Sequence, residues 1–295
     1  RLHSYKEFPL RVAELGLVHR HEMSGVLHGL FRVRAFTQDD AHIFCTPEQF
    51  EGEVANVIDQ VFEIYRTFGF NDFHIELSTR PKDSIGSDEL WSVAEGGLRK
   101  ALEMRGIDYQ LNPGDGAFYG PKIDFHVRDS MGRSWQCGTI QADFSMPERF
   151  NATYESEDGT RKTPLMLHRA ILGSLERFIG ILIEHYAGKF PMWLNPVQVK
   201  VLPVADKFND YAAAVVEQFK AAGLRAEADL RSERLGKKIR DAQLSRVNYQ
   251  VVVGGSEVES GTVSVRARKN ENLGTLGIPE FTARMVEEVK TRSME

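Results

Sequence analysis

The stretch Gly188–Pro196 divides this chain into two unlike patterns. It sets Pro191 and Pro196 around Trp193. Proline interrupts both helix and ladder hydrogen bonding, so a domain boundary is expected here. Before the break, apolar residues alternate in runs. Asp72–Ser78 puts Phe73, Ile75 and Leu77 on one side, and Lys122–Arg128 does the same with Ile123, Phe125 and Val127. Arg133–Phe144 reads as a further strand. Helical spacing runs through 48–68 (Phe50, Val54, Val57, Ile58, Val61, Phe62, Tyr65), through 88–105, and through the strongly apolar 170–186. These runs lack regular βαβ alternation, which predicts an α+β domain on an antiparallel sheet over residues 1–190.

After the break the pattern becomes strand and helix in turn. Strands are expected at Val197–Val201, Leu224–Leu230, Tyr249–Val253 and Thr262–Arg266. Helices are expected at Asp206–Ala222, Arg234–Ser245 and Pro279–Thr291. That order predicts an α/β domain with a mixed sheet over 196–295. A length of 295 residues suits two domains.

The net charge of −5 excludes a chain that is basic throughout. From Pro196 onward, however, 16 Lys/Arg face 14 Asp/Glu, a balance of +2, so the first part carries −7. The excess base lies between Arg225 and Arg246, at Arg231, Arg234, Lys237, Lys238 and Arg240. Phosphate contacts need local cations of this kind, and a solvated helix face has the same composition. Two cysteines, Cys45 and Cys137, give no disulfide framework, and no apolar run is long enough for a membrane span or signal peptide. A cytoplasmic location is the expectation. The chain starts at Arg1 without a methionine, which suggests a processed or truncated piece.

Two segments carry the chemistry. In the first, His19-Arg20-His21-Glu22 precedes Arg32-Val33-Arg34-Ala35-Phe36. Read as a hairpin turning through Met23–Gly29, it sets Arg20 and Arg32 on adjacent strands facing one ligand. The guanidinium fork suits phosphate or carboxylate, and Phe36 offers a stacking face. A salt-bridged surface hairpin has the same signature. In the second, His168-Arg169 leads into Gly173, Ser174 and Arg177, where small residues permit close backbone approach. Arg177 opens an apolar helix and either serves a ligand or pairs with Glu176 or Glu184 on a wet face. His42 and His168 are two potential zinc ligands, half of a tetrahedral set, and the pattern equally fits core histidines.

Taken in order, RVAELGLVHRHEMSG, RVRAFTQDDAHIFC, LSTRP, IGSDELW, GAFYGPKIDF, CGTIQADF and HRAILGSLERFIG resemble the threonyl-tRNA synthetases, class II aminoacyl-tRNA synthetases. ADLRSERLGKKIR and VESGTVSVRAR resemble the anticodon-binding domain of that family, so the resemblance spans the chain. It implies a ligase that activates threonine with ATP to threonyl-adenylate and transfers it to threonine tRNA. It further implies zinc, magnesium with ATP, a homodimer in the complete protein, and no membrane partner. Arg20 and Arg177 take the catalytic places in the resemblance. Arg20, Glu22, Arg32, Phe36, Gln136, Thr139, Ser174 and Arg177 match nucleotide contacts. Gln38, Asp40, Tyr119, Lys122 and Gln141 match the threonine side. His42 and His168 match two of three zinc ligands. The third, a cysteine, is expected upstream of Arg1, with the first class II motif and an editing domain. Ser232, Lys237, Glu257 and Arg266 are assigned to the anticodon, Ser232 replacing a common Asn. Rival readings are a prolyl or seryl synthetase and a non-catalytic RNA-binding or amino-acid-sensing protein. Triphosphate-gripping arginines speak against the last of these.

Overall fold

A computed structural model describes residues 1–268 and 271–294. The chain forms two compact units, Arg1–Glu184 and His185–Glu295. The expected second domain includes Lys269, Asn270 and Glu295, which lie outside the described residues.

The first unit is built on a seven-stranded sheet. In chain order its elements are β1 (His3–Ser4), β2 (Leu10–His19), β3 (Ala35–Cys45), α1 (Pro47–Thr67), β4 (Phe73–Ser78), α2 (Asp88–Glu103), β5 (Gln110–Asn112), β6 (Lys122–Arg128), β7 (Ser134–Asp143), α3 (Met146–Arg149), β8 (Tyr154–Glu155), β9 (Arg161–Lys162), β10 (Leu165–Ala170) and α4 (Leu175–His185). The main sheet runs β2-β3-β10-β7-β6-β4-β5. Every pairing is antiparallel except β4 with β5. The α+β expectation therefore holds.

Residue alternation along strands decides which side chains share a face. His168 of β10 stands opposite His42 on β3 and Gln141 on β7, and Gln141 stands opposite Lys122 on β6. One face thus gathers Gln38, Asp40, His42, His168, Thr139, Gln141, Lys122 and Asp124. The other gathers Ala41, Ile43, Leu167 and Ile140, all buried. Helix α1 packs on β3, β7 and β10 and against α2. It buries Val54, Val57, Ile58, Val61 and Tyr65, the stripe its 3.6 period predicts. One face is core; the opposite face is left for ligands.

Two local expectations fail. Residues 20–34 do not form hairpin strands: β2 ends at His19 and β3 begins at Ala35. The hairpin is longer and lies outside the arginines. The stretch between them makes a loop with a short helical turn at Ser24–Val26 and a bridge from His28 to Arg32. The apolar run 170–186 is split as well: Leu165–Ala170 is strand, and helix starts only at Leu175. Gly173 explains the break. Its φ is +70°, the left-handed region where a Cβ is strained. A Cβ there would also lie 2.3 Å from the Cys137 carbonyl oxygen.

The second unit contains β11 (Val199–Pro203), α5 (Asn209–Ala221), β12 (Ala226–Ala228), α6 (Leu235–Leu244), β13 (Tyr249–Val253), α7 (Gly255–Ser260), β14 (Thr262–Ala267), β15 (Asn272–Gly277) and α8 (Ile278–Lys290). Its sheet is mixed. β12, β11 and β13 are parallel, and β14 and β15 continue antiparallel. Val201, Val251, Val253, Val263 and Val265 pack with Phe219 of α5 and Phe281 and Met285 of α8. On the other face Leu202 packs with Ala242 and Ile239 of α6. β15 and α7 were not expected. β15 carries Gly274 and Gly277 and lacks an alternating apolar run.

Candidate functional site: a cleft on the open sheet face

The open face of the first unit holds one continuous cleft with two ends. Arg20, Glu22, Arg32, Phe36, Gln136, Thr139, Ser174 and Arg177 line one end. Asp40, Tyr119, Lys122, Gln141 and His168 line the other. Arg20, Gln38, Gln136 and Thr139 belong to both. Every residue that the resemblance assigns to nucleotide or amino acid therefore reaches a single concavity. Arg20 and Arg32 do so from the loop rather than from paired strands.

Arg177 is set by its backbone neighbours. Its Nε donates to the Phe31 carbonyl at 2.7 Å and its Nη1 to the Gln136 carbonyl at 2.8 Å. Burial lowers its pKa from the ordinary arginine value, and the nearby Arg32 and Arg20 push the same way. A guanidinium still stays charged. Cations crowded into a half-buried cleft are a strong draw for polyphosphate. Glu176, one residue before, turns away and accepts the Thr37 backbone N–H at 3.0 Å. The wet-face pairing with Glu176 is not formed. Arg20 lies over the Phe36 ring, 5.2 Å from its centroid, so the arginine covers the stacking face of a buried ring.

The middle of the floor is a polar mesh organised by Asp124. Its Oδ1 accepts from Gln136 Nε2 at 2.6 Å and Thr139 Oγ1 at 2.8 Å, while its Oδ2 meets Lys122 Nζ at 2.7 Å. Burial works against the Lys122 charge, yet Asp124 and Asp115 hold its pKa above the ordinary value. Tyr119 Oη donates to Gln141 Oε1 at 2.7 Å. Its own ionisation is pushed up by burial, then by Asp143 and Asp40, so it remains a neutral donor.

His42 and His168 face each other with ring centroids 4.7 Å apart and nearly perpendicular planes. His168 Nε2 is 2.8 Å from Oδ2 of Asp143. The Asp143 side chain is fully buried. Burial opposes its charge, but His168 and the N–H groups of Met146 and Ser145 hold its pKa below the usual range. A carboxylate on one ring nitrogen orients the other nitrogen toward a metal. The fold thus brings the two expected ligands side by side. Among the described residues no group of three His, Cys, Asp or Glu could hold a metal ion. Cys45 and Cys137 are buried and free, their thiol pKa values raised to about 12, chiefly by burial.

Sequence reasoning missed Asp124, Asp143 and Asp39. Each sits in a segment already singled out, PKIDF, QADF and TQDD. The missing signal was the register that sets them against Gln136, His168 and the 171–173 turn.

In the second unit the four anticodon candidates are spread out. Ser232 Oγ donates to Asp206 Oδ2 at 2.9 Å. Exposed Lys237 pairs with Glu233, four residues before it and just ahead of α6. Glu257 Oε2 accepts the Gly254 N–H at 2.9 Å and closes the first turn of α7. These three lie beyond the ends of β11, β12 and β13. Arg266 lies elsewhere, exposed on β14 opposite Gln250, the second residue of β13. The buried Gln250 Oε1 has no hydrogen-bond partner.

An antiparallel sheet with an arginine-lined cleft, followed by a small mixed-sheet unit, defines a class of protein. Residues 1–186 match the family described as tRNA synthetase class II core domain (G, H, P, S and T), and residues 198–288 match the Anticodon binding domain family. The threonine--tRNA ligase of Finegoldia magna is 60% identical over 291 residues, and that of Acetivibrio thermocellus 59% over 292. Each alignment covers 99% of this chain and 46% of the relative. The solved RNA binding domain of threonyl-tRNA synthetase from Cryptosporidium parvum Iowa II superposes with a TM-score of 0.92 at 42% identity, over 99% of this chain and 73% of that one. The chain belongs to the threonyl-tRNA synthetase family of class II tRNA synthetases. It spans about half the length of the curated relatives it matches, 46%.

Proposed function

We propose that this chain is the catalytic and anticodon-reading part of a ligase that activates threonine with ATP and transfers it to threonine tRNA. The observation that carries this reading is the shared floor: an arginine end of the right chemistry for triphosphate adjoins, across Arg20, Gln38, Gln136 and Thr139, a carboxylate, amine and phenol end of the right chemistry for a small polar amino acid.

In this reading the threonine carboxylate attacks the α-phosphorus of ATP and displaces pyrophosphate, giving threonyl-adenylate; a hydroxyl of the terminal ribose of the tRNA then takes the threonyl group and AMP leaves. Negative charge grows on the phosphoryl oxygens, and fixed cations stabilise it without a protein nucleophile. Arg177 is already oriented by two carbonyls and keeps free N–H groups for the phosphates. Arg20 swings off Phe36 toward the α-phosphate and frees the ring for adenine. Arg32 serves the far phosphate, and magnesium, which accompanies ATP in this class, shares the charge. Asp124 holds Gln136 and Thr139 in place at the junction of the two ends. Asp40, beside Tyr119 and Gln141, accepts from the threonine hydroxyl. His42 and His168, with a third donor, would hold a zinc ion, which would supply a Lewis acid beside Asp40 and favour an amino acid that carries a hydroxyl. In the second unit, Arg266 and Glu257 read bases while Ser232 and Lys237 contact the backbone.

Strand β2 supports a dimer. It is an edge strand of ten residues with Leu15 and Leu17 about 70% exposed (71% and 69%). Long apolar edges left open are prone to association, so such a strand calls for a covering partner, here a second copy. Two free buried thiols fit a reducing, cytoplasmic compartment. No helix among the described residues is long and apolar enough to cross a membrane.

The deciding experiment is ATP–pyrophosphate exchange by the full polypeptide with threonine, serine, valine and proline. Threonine is expected to lead and serine to come second, because serine lacks only a methyl, a difference of about 1–3 kcal/mol. Proline as preferred substrate, or no exchange with any amino acid, would overturn the reading in favour of another synthetase or a non-catalytic binder.

A further inference from the structure

Asp39 points away from the cleft, between Gln38 and Asp40, which line it. Its carboxylate accepts three consecutive backbone N–H groups: Ile171 at 2.8 Å, Leu172 at 3.1 Å and Gly173 at 2.9 Å. Three successive N–H groups converging just before a helix form a concave cradle for an anion. Here the protein fills the cradle itself, with a carboxylate that burial makes harder to ionise. The same turn is held from its other side. Buried Tyr65 of α1 donates its hydroxyl to the Ile171 carbonyl at 2.9 Å and accepts the Gly138 N–H at 2.9 Å.

Immediately after the turn, the chain enters the nucleotide end of the cleft. Ser174 bridges to Gln38, and its Oγ accepts the Arg177 N–H at 3.2 Å. Three successive residues of β7 touch this assembly. Gln136 takes the Arg177 guanidinium on its carbonyl, Cys137 backs Gly173, and Gly138 meets the Tyr65 hydroxyl. The Arg177 side chain rests on carbonyl oxygens, with two like charges nearby. Its place is therefore set by where the helix starts. We propose that Asp39 and Tyr65 are positioning residues for the nucleotide: they clamp the 171–173 turn, and the turn places Ser174 and Arg177. This rests on the ligase reading of the cleft.

The test compares Asp39→Asn, Tyr65→Phe and a control, Val61→Ala, which trims the buried face of the same helix one turn earlier and removes no hydrogen bond to the turn. In threonine-dependent ATP–pyrophosphate exchange by the full polypeptide, the first two are expected to raise the ATP KM roughly tenfold or lower kcat to match, with the threonine KM within about twofold. Val61→Ala should lower the melting temperature and leave the ATP KM unchanged. Tyr65→Phe keeps the ring and carries the test alone if Asp39→Asn does not fold. An unchanged ATP KM and kcat in both variants, or equal changes from Val61→Ala, would overturn the clamp. Absence of exchange in the unsubstituted protein would sink the ligase reading instead; ATP titration calorimetry on the same proteins then reads the clamp by itself.

Discussion

The cleft of the first unit and the candidate RNA surface of the second solve opposite problems. In the cleft, functional groups are bonded to one another before any ligand arrives. Arg177 rests on two carbonyls, Lys122, Gln136 and Thr139 converge on Asp124, and His168 is backed by a buried carboxylate. In the second unit the candidates are exposed or paired locally. Arg266 stands open on β14, and Lys237 meets the carboxylate of Glu233 just ahead of its own helix. Preorganisation matters where charge develops in a transition state, because donors already in place need not reorganise. A surface that reads flexible nucleotides gains more from reach than from rigidity. Removing a cleft residue should therefore cost catalysis heavily and leave partners stranded, while removing a surface residue should cost binding modestly.

The strongest test of that contrast is Arg177→Ala. Adenylate formation should fall by about 10²–10³-fold, the scale of losing one transition-state donor. Folding should survive, since the Phe31 and Gln136 carbonyls lose a donor at a cost of about 1–3 kcal/mol. Rapid-quench adenylate assays and a thermal melt measure the two separately. A variant that unfolds outright would make Arg177 a structural post. Next comes Asp40→Ala, read as adenylate formation with threonine, serine and valine. Threonine and serine should fall together by ~10–100-fold, the effect of stranding a hydroxyl in a closed site, while valine changes little. A parallel loss for valine would show that Asp40 only holds the strand.

The fold was legible where one period ruled a long segment. α1, α2, β4, β6 and β13 follow their apolar spacing, and the change of pattern after Gly188 marks two different sheets. Legibility failed where local pattern and tertiary demand disagreed. The helix expected from residue 170 starts only at Leu175, because an apolar run continues across the end of a strand, a turn and the start of a helix whose cores share composition. Only Gly173, packed against Cys137, forces the turn. β15 was hidden by its glycines. For the cleft, residue types and resemblance pointed to arginines, Asp40 and the histidines. The supporting carboxylates Asp39, Asp124 and Asp143 could not be found from spacing, because each acts across strand registers that no single segment shows.

In the second unit Arg266→Ala should cost about 1–3 kcal/mol against the cognate anticodon and less against others. The guanidinium is exposed on β14, where it can offer a fork of donors to a base edge. Filter binding of threonine tRNA and an anticodon-substituted copy measures the difference. Equal weakening of both would demote Arg266 to a phosphate contact.

The smallest effect should come from Lys237→Ala, and it separates two kinds of surface residue. Lys237 lies in the first turn of α6, exposed, with its ammonium against Glu233. An exposed pair of this sort contributes only ~0–1 kcal/mol to stability, so the melting temperature should barely move. If the ammonium leaves Glu233 for an RNA phosphate, it trades one weak pair for another and gains chiefly through counterion release. Affinity should then fall by the same modest factor for cognate and non-cognate RNA. The slope of log K against log salt should become shallower by about 0.7–0.9, one phosphate's worth. Binding measured at several salt concentrations with both RNAs decides it. An unchanged slope would remove Lys237 from the interface, and a loss confined to the cognate anticodon would make it a base reader and erase the distinction from Arg266.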